Sequence, residues 1–370
     1  MNSVTNNAAI ERIISLVVQL PTTENSQPWE IVVRGNVFEI FHLSVCDQIG
    51  SIPDDLSVLS AGIMAEAIDL AASTEGFTVH IEYFLQDRCD KNPWLRATLQ
   101  QKGRAADPLA AALPLRHSDR RHYAGAVGSI TDPVFKEVEQ QAQLIAGTNF
   151  YLTNNYPQEF LHQTKLGDDL LFLCQDMRRD FMRWLRFTEK QIQRTRDGMS
   201  WRSLLHYPER PYHYLQSRLW WLAITLDWFP SWMMKLEAML FDDSANLSPT
   251  NYEDCTCLGC ITTASSSLED LAAAGRLALR AWLLLNLRGY SFQAMTNLTS
   301  IVYPQHLGHW DLPTKMIPEL AESYAVLQRM FDFSDTEIPI FCFRTGFPIA
   351  PYPKNARTLR RKDRVRFIST

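Results

Sequence analysis

Residues 21–29 read PTTENSQPW, a short loop between a predicted helix and a predicted strand. Prolines at both ends restrict the backbone, and the residues between them carry hydroxyl, amide and carboxyl side chains. Such side chains can donate and accept hydrogen bonds around a planar heteroaromatic ring. The same composition is also typical of a plain capped connection with a buried Trp29, and composition alone does not choose between these interpretations.

The segments around this loop predict an α+β fold with mixed sheets flanked by helices. Residues 9–20 carry apolar side chains at helical spacing, and residues 30–42 predict two short strands around a turn at Arg34-Gly35-Asn36. A long alanine-rich helix is predicted at 54–73, followed by a strand at 77–85. Further strands are expected at 257–264 and 338–343.

A spacing of glycines repeats in the two halves of the chain. Ala61-Gly62 precedes Gly76 by the same fourteen residues that separate Ala274-Gly275 from Gly289. Each pair frames a long apolar helix, at 54–73 and at 268–287. We therefore predict two central helices in one pseudo-symmetric core, related by an approximate twofold axis. The alternative is coincidence, because glycine is favoured just past any helix end.

Composition narrows the class of protein. The 370 residues are 46% apolar with a net charge of −5, which favours a folded core, and the basic run near the C-terminus at 357–366 is too short for a nucleic-acid footprint. The N-terminus lacks the pattern of a secretory signal, and the apolar stretch 219–241 is interrupted by charges. We expect a cytoplasmic chain without a transmembrane segment or a nucleic-acid partner.

Few residues suggest a metal or a nucleophile. Cys255, Cys257 and Cys260 could ligate a metal, but three thiols on a predicted strand are more typical of packed apolar residues. His306 and His309 have ligand spacing without an acidic or cysteine partner nearby. The sequence contains no Gly-x-Gly-x-x-Gly, P-loop, Gly-x-Ser-x-Gly or His-Glu-x-x-His pattern. We therefore predict no metal and no catalytic side chain.

A second polar cluster follows the first half of the chain, where residues 116–123 read RHSDRRHY. Arg116 and Arg120, with Ser118 between them, can converge on a dianionic phosphate, because guanidinium groups bind phosphate oxygens bidentately. The alternative is a solvated basic turn, which is the usual role of a charge run.

Residues 21–29 resemble the signature Pro-Ser-Ser-x-Asn-x-Gln-Pro-Trp of the nitroreductase family, with threonine for serine at both hydroxyl positions. The resemblance implies that Thr22, Thr23 and Asn25 contact the ring of FMN. Residues 116–120 are similar to the Arg-x-Ser-x-Arg motif of the same family. That similarity implies that Arg116, Ser118 and Arg120 hold the FMN phosphate and ribityl chain.

The C-terminal tail, 357–365, resembles the basic ending of that family, and Arg360 with Arg361 is the preferred pair for the same phosphate. A surface tail is the alternative for the other basic residues. The family's Pro-x-Glu-Gly turn is replaced by Gln293-Ala294-Met295-Thr296-Asn297, which makes Gln293 the corresponding flavin contact. Hydride chemistry is therefore less strongly implied than FMN binding.

The order of these motifs implies a long single-chain subgroup in which two degenerate halves imitate a homodimer. The arginine motif follows the first helix–strand unit, so we predict one half at 1–110 and another at 111–370, with one complete site and a monomeric pseudo-dimer. A Trp-rich insertion at 197–249 is predicted as a helical lid, or alternatively as packing on the outside of the core.

The resemblance implies an FMN-dependent oxidoreductase that passes reducing equivalents from NAD(P)H to a planar electrophile, nitroaromatic or quinone-like. The alternative is a non-catalytic FMN-binding protein that stores or sequesters the cofactor.

Overall fold

The computed structural model describes residues 7–43, 54–85, 92–125, 127–173, 181–186, 188–200, 254–296, 299, 317–353 and 359–368. The predicted insertion at 197–249 lies outside these residues except for 197–200. So do His306 and His309.

The described part of the first half alternates helices and strands. Its elements are α1 (Asn7–Val17), β1 (Trp29–Arg34), β2 (Val37–His42), α2 (Asp54–Thr74), β3 (Phe77–Tyr83) and β4 (Leu95–Lys102). The predicted hairpin is confirmed, since β1 and β2 pair antiparallel around the turn at Gly35, whose φ of 57° suits glycine. The predicted long helix is also confirmed.

The second half contains the remaining elements. They are α3 (Pro133–Leu144), β5 (Thr148–Thr153), α4 (Gln158–Leu173), β6 (Leu185–Arg186), α5 (Glu189–Thr195), β7 (Met199–Ser200), β8 (Cys257–Thr263), α6 (Leu268–Leu287), β9 (Ser291–Ala294), α7 (Ile317–Ala321), α8 (Ser323–Phe331), β10 (Ile338–Gly346) and β11 (Val365–Ile368). The fold is α+β, as predicted, with sheets flanked by helices; parallel and antiparallel pairs are mixed in the first sheet.

Two sheets have the same internal strand order. The first sheet runs β11-β1-β2-β4-β3 and the second runs β5-β8-β10-β9. Apart from β11, which pairs parallel to β1, every pair in both sheets is antiparallel. Strands β1, β2, β3 and β4 therefore correspond in order to β5, β8, β9 and β10, with α2 and α6 in the same place between the second and third.

Helices α2 and α6 pack against each other in the shared core, at a crossing where both carry glycine. A Cβ on Gly62 would lie 1.9 Å from the carbonyl oxygen of Ala272, and a Cβ on Gly275 would lie 2.1 Å from that of Leu59. One offset of 213 residues relates Leu59 to Ala272 and Gly62 to Gly275. The contact is thus reciprocal, which is the signature of a twofold relation.

One described helix, α2 from Leu56 to Thr74, is long and apolar enough to cross a membrane, and 94% of its apolar window is buried inside the fold. Burial against α6 and the first sheet accounts for its composition, as in the core helix of a globular domain.

Candidate functional site

The loop between α1 and β1 has an unusual backbone. Glu24, Asn25 and Gln27 have φ values of 53°, 56° and 50°, a region that asparagine tolerates but other non-glycine residues rarely enter. Gln27 is held there because its backbone N–H donates to Thr22 Oγ1 at 3.0 Å and its Nε2 donates to the Arg196 carbonyl at 2.9 Å. Such conformations persist only where surrounding contacts fix them, and they concentrate at ligand sites.

Asn25 connects three segments of the chain. Its Nδ2 donates to the carbonyl oxygens of Gly198 at 2.9 Å and Leu359 at 3.3 Å, and its Oδ1 accepts from Nη1 of Arg360. The left-handed backbone turns this buried amide toward the C-terminal tail. Residues 196–198, at the edge of the predicted insertion, therefore cover the loop directly, while Thr22 and Thr23 stay half-buried beside it.

Two guanidinium groups meet at the end of the helix that precedes this loop. The carbonyl oxygen of Gln19 accepts from Nη2 of Arg116 at 3.0 Å and from Nη2 of Arg360 at 3.3 Å. Arg116 also lies over the ring of Trp282, 4.7 Å from its centroid. The structure thus brings together two arginines that are 244 residues apart in sequence and that the sequence predicted to share an anion.

Arg360 is a buried cation without a carboxylate partner in the described part of the chain. The residue is 8% exposed, and among the described residues its Nε has no hydrogen-bond partner and no carboxylate forms an ion pair with it. Burial lowers the pKa of Arg360 to about 10. A phosphate would supply both the missing acceptor and the missing charge, so the residues present fit the phosphate end of FMN.

Arg120 and Ser118 belong to the same segment. Burial lowers the pKa of Arg120 as well. The neighbouring Arg121 has another function, because it donates to both carboxylate oxygens of Asp119, at 2.9 and 2.8 Å. Ser291 donates to the same carboxylate at 2.9 Å. Burial acts to raise the pKa of Asp119, but the bonds and charge of Arg121 outweigh it and lower the pKa.

A buried arginine that the sequence analysis did not select organises the other side of the site. Arg344, on β10, is 1% exposed and donates from Nε to Gln293 Oε1 at 2.7 Å. Its Nη1 donates to Asp254 Oδ1 at 3.1 Å, and its Nη2 donates to the carbonyls of Arg120 at 3.1 Å and Arg121 at 2.8 Å. A charged residue in the apolar strand 338–346 was the available sequence signal.

The two tail arginines are placed differently. Arg361 donates to Asp363 at 2.7 Å and lies 3.4 Å from Asp197, so its charge is balanced by two carboxylates. Its backbone N–H donates to Gln27 Oε1 at 2.7 Å. The side chain of Arg360 therefore lies beside that of Arg116, whereas Arg361 joins the loop to the tail. Contact between Arg361 and a phosphate stays a prediction.

The predicted thiol cluster lies in the interior. Cys255, Cys257 and Cys260 are buried, and burial raises the pKa of Cys255 to about 11 and raises those of Cys257 and Cys260 further above their ordinary value. Protonated thiols in an apolar environment are poor nucleophiles and poor metal ligands. These cysteines pack as apolar side chains.

No family model and no curated protein matches the chain. Among solved structures, a nitroreductase with bound FMN from Desulfitobacterium hafniense DCB-2 is 9% identical, with a TM-score of 0.37 over 71% of this chain and 100% of that one. The FMN-dependent nitroreductase from Mycobacterium smegmatis in complex with NADPH is also 9% identical, with a TM-score of 0.33 over 68% and 95%.

A third structure is a mutant of the FMN- and NADPH-dependent nitroreductase from Sphigopyxis sp. strain HMH. It is 12% identical, with a TM-score of 0.35 over 69% of this chain and 95% of the other. These proteins are nitroreductases, the family that the sequence motifs resemble, and the identities are too low to transfer an activity.

Proposed function

We propose that this chain is an FMN-dependent oxidoreductase that takes hydride from NAD(P)H and reduces a planar electrophile of the nitroaromatic or quinone class. The observation that supports it most is the buried guanidinium of Arg360 beside Arg116, without a carboxylate partner in the described residues. The proposed cofactor contacts are Thr22, Thr23, Asn25, Arg116, Ser118, Arg120, Gln293, Arg360 and Arg361.

The arginines would anchor the phosphate end of the cofactor. Charge-assisted hydrogen bonds contribute about 1.5–3 kcal/mol each, so two guanidinium groups suffice for tight retention of a dianion. Asn25 aims Arg360, and the shared carbonyl of Gln19 holds Arg116 next to it. Ser118 lies in the same segment with a half-buried hydroxyl.

When bound, the flavin supplies the two-electron chemistry, and the protein supplies orientation and exclusion of water. By its resemblance to the family motif, the loop at 22–27 would lie at the ring side of the ligand. Its strained backbone is fixed from three directions by hydrogen bonds to residues 196–198, 359 and 361. No nucleophilic side chain is required for hydride transfer through a flavin.

A second candidate is a non-catalytic FMN-binding protein. Two observations favour it: residues 196–198 bond directly over the loop, and Gln293-Ala294 stands where the family has its Pro-x-Glu-Gly turn. The two candidates differ in one measurable property, since only the oxidoreductase gives NAD(P)H access to the bound ring.

The test uses the full chain loaded with FMN. Calorimetric titration should give one FMN per chain, and Arg116→Ala with Arg120→Ala should weaken binding while the circular dichroism spectrum is unchanged. Rapid mixing with NAD(P)H should then bleach the visible absorbance of the oxidised flavin. Binding without bleaching supports storage, and absence of FMN binding rejects both candidates.

The repeated strand order supports a further part of the proposal, that the halves at 1–110 and 111–370 arose by duplication and form a monomeric pseudo-dimer. The loop at 21–27 comes from the first half, and the segment 116–120 comes from the second, as the two sides of a dimer interface would. Sedimentation at several concentrations should give a monomer with one cofactor.

A further inference from the structure

Gln293 is a buried amide whose orientation is set by its neighbour. An arginine side chain can only donate hydrogen bonds, so the atom of Gln293 that faces Nε of Arg344 at 2.7 Å is the oxygen. The amide nitrogen must then point to the other side. Arg344 therefore decides which end of the Gln293 amide faces away from the strand pair β9–β10.

The amide nitrogen that this orientation presents makes no hydrogen bond to any group in the described part of the chain. Gln293 as a whole is 8% exposed, and its Nε2 retains accessible surface. An acceptor atom of a ligand can therefore reach this N–H without displacing a protein partner.

Arg344 also places this donor relative to the arginine segment. Its Nη2 binds the carbonyl oxygens of Arg120 and Arg121, at 3.1 and 2.8 Å, while Nη1 is held by Asp254. A single rigid guanidinium, stacked 4.2 Å from the centroid of the Tyr123 ring, thus fixes both the Gln293 amide and the backbone that carries Arg120.

We infer that Arg344 is a positioning residue. It directs the Gln293 amide N–H onto an acceptor atom in the ring of the FMN molecule whose phosphate the arginines hold. This inference rests on the proposed FMN binding and goes beyond it, because it assigns a side-chain donor to the ring end of the site. A donor to the ring stabilises the negative charge that the ring gains on reduction, whereas a carboxylate there opposes it.

The test compares Gln293→Glu with the wild-type chain, both loaded with FMN. The variant keeps the size of the side chain and replaces the donor by a carboxylate next to Arg344. Reduced FMN should then bind at least tenfold more weakly relative to oxidised FMN, which lowers the two-electron potential by about 30 mV. The visible spectrum of the bound flavin should also shift.

Gln141→Glu is the matched control, because Gln141 accepts from Nε of Arg280 at the same 2.7 Å, between α3 and α6 and away from the arginine segment. It should leave the potential and the spectrum unchanged. If Gln293→Glu destabilises the chain, Gln293→Met and Arg344→Lys give the same readouts, with a smaller shift expected for the lysine, which still donates.

The outcomes distinguish failure of the proposed function from failure of the assignment of Gln293 as the donor. Wild-type chain that binds no FMN overturns the proposed function. Wild-type chain that binds FMN, with Gln293→Glu and Gln293→Met unchanged in potential and spectrum, overturns the assignment of the donor alone.

Discussion

The two halves of the chain share a strand order and a helix crossing but differ in the connections that leave their cores. In the first half, residues 18–28 separate α1 from β1, whereas residues 145–147 make the corresponding link from α3 to β5. The first link contains the strained loop that meets Arg360, and the second is a tight turn at Gly147 with φ 82°. In the described residues, the same topology therefore carries a long strained loop in the first half and a tight turn at the corresponding place in the second.

The outer faces of the two sheets differ as well. Glu39 and Arg96 are cross-strand partners on β2 and β4 and form a partly exposed ion pair at 3.2 Å. The offset of 213 residues aligns Gln293 with His80, so the pair Gln293–Arg344 corresponds to His80–Thr98. Counted from these pairs, the counterparts of Glu39 and Arg96 are Cys260 and Cys342, which are buried cross-strand partners on β8 and β10. Helices α4, α7 and α8 cover this second face with an additional apolar cluster.

The strand order and the helix crossing are therefore common to both halves, whereas the residues on the outer faces of the two sheets differ. A charged outer face is stable in water and needs no covering element, whereas an apolar one must be covered. The longer connections of the second half, between β5 and β8 and between β9 and β10, supply that cover.

The largest expected effect comes from removing the side chain of Arg360, the buried cation beside the strained loop of the first half. Arg360→Met should lower FMN affinity by roughly hundredfold or more, since it removes charge-assisted bonds of about 1.5–3 kcal/mol each. The ligand-free variant should melt at a higher temperature than wild type at neutral pH. Burial lowers the pKa of Arg360 to about 10, so at neutral pH the wild-type guanidinium is charged and its burial destabilises the folded state.

Calorimetry and thermal melts check both readouts, with Arg104→Met as the control because Arg104 is paired to Asp69 at 2.5 Å away from the loop. Residual stoichiometric FMN binding by Arg360→Met would reveal a second site and break the asymmetry between the halves.

The second prediction tests the reciprocal crossing of α2 and α6. Gly62→Ala and Gly275→Ala each place a methyl group about 2 Å from a carbonyl oxygen of the other helix, so the helices must separate. Each should destabilise the chain by about 2–3 kcal/mol in urea unfolding. If the helices separate at one crossing point, the double variant should lose less stability than the sum of the losses of the two single variants.

The sequence predicted these two helices well and the site only in part. Helical spacing and the paired glycines located α2 and α6, and the motifs selected Asn25, Arg116 and Arg360, which the structure brings close together. Sequence could not show that Arg344 joins Gln293 to the arginine segment, because that contact depends on the register of β9 against β10. It also could not separate Arg360 from Arg361, since the acids that balance Arg361 come from two different segments.

The third prediction compares the outer faces at corresponding positions. Arg96→Ala should lower the free energy of unfolding by about 1 kcal/mol, as expected for a partly exposed ion pair. Cys342→Ser should cost about 2 kcal/mol, because its hydroxyl would be buried in the apolar cluster under α8. Chemical denaturation of both variants measures the difference, and equal costs would mean that the second face is solvated like the first.

The smallest expected effect concerns the glycines that end the two central helices. Gly76 and Gly289 have φ values of 78° and 84°, and a Cβ on either would find its nearest neighbour at 3.8 and 3.7 Å. Space is therefore available at both positions, and only the left-handed backbone opposes a side chain. Gly76→Ala and Gly289→Ala should each cost about 1 kcal/mol and agree within about 0.5 kcal/mol. Unequal costs in urea unfolding would show that the two helix ends are held by different contacts, so that the correspondence between the halves stops at the crossing.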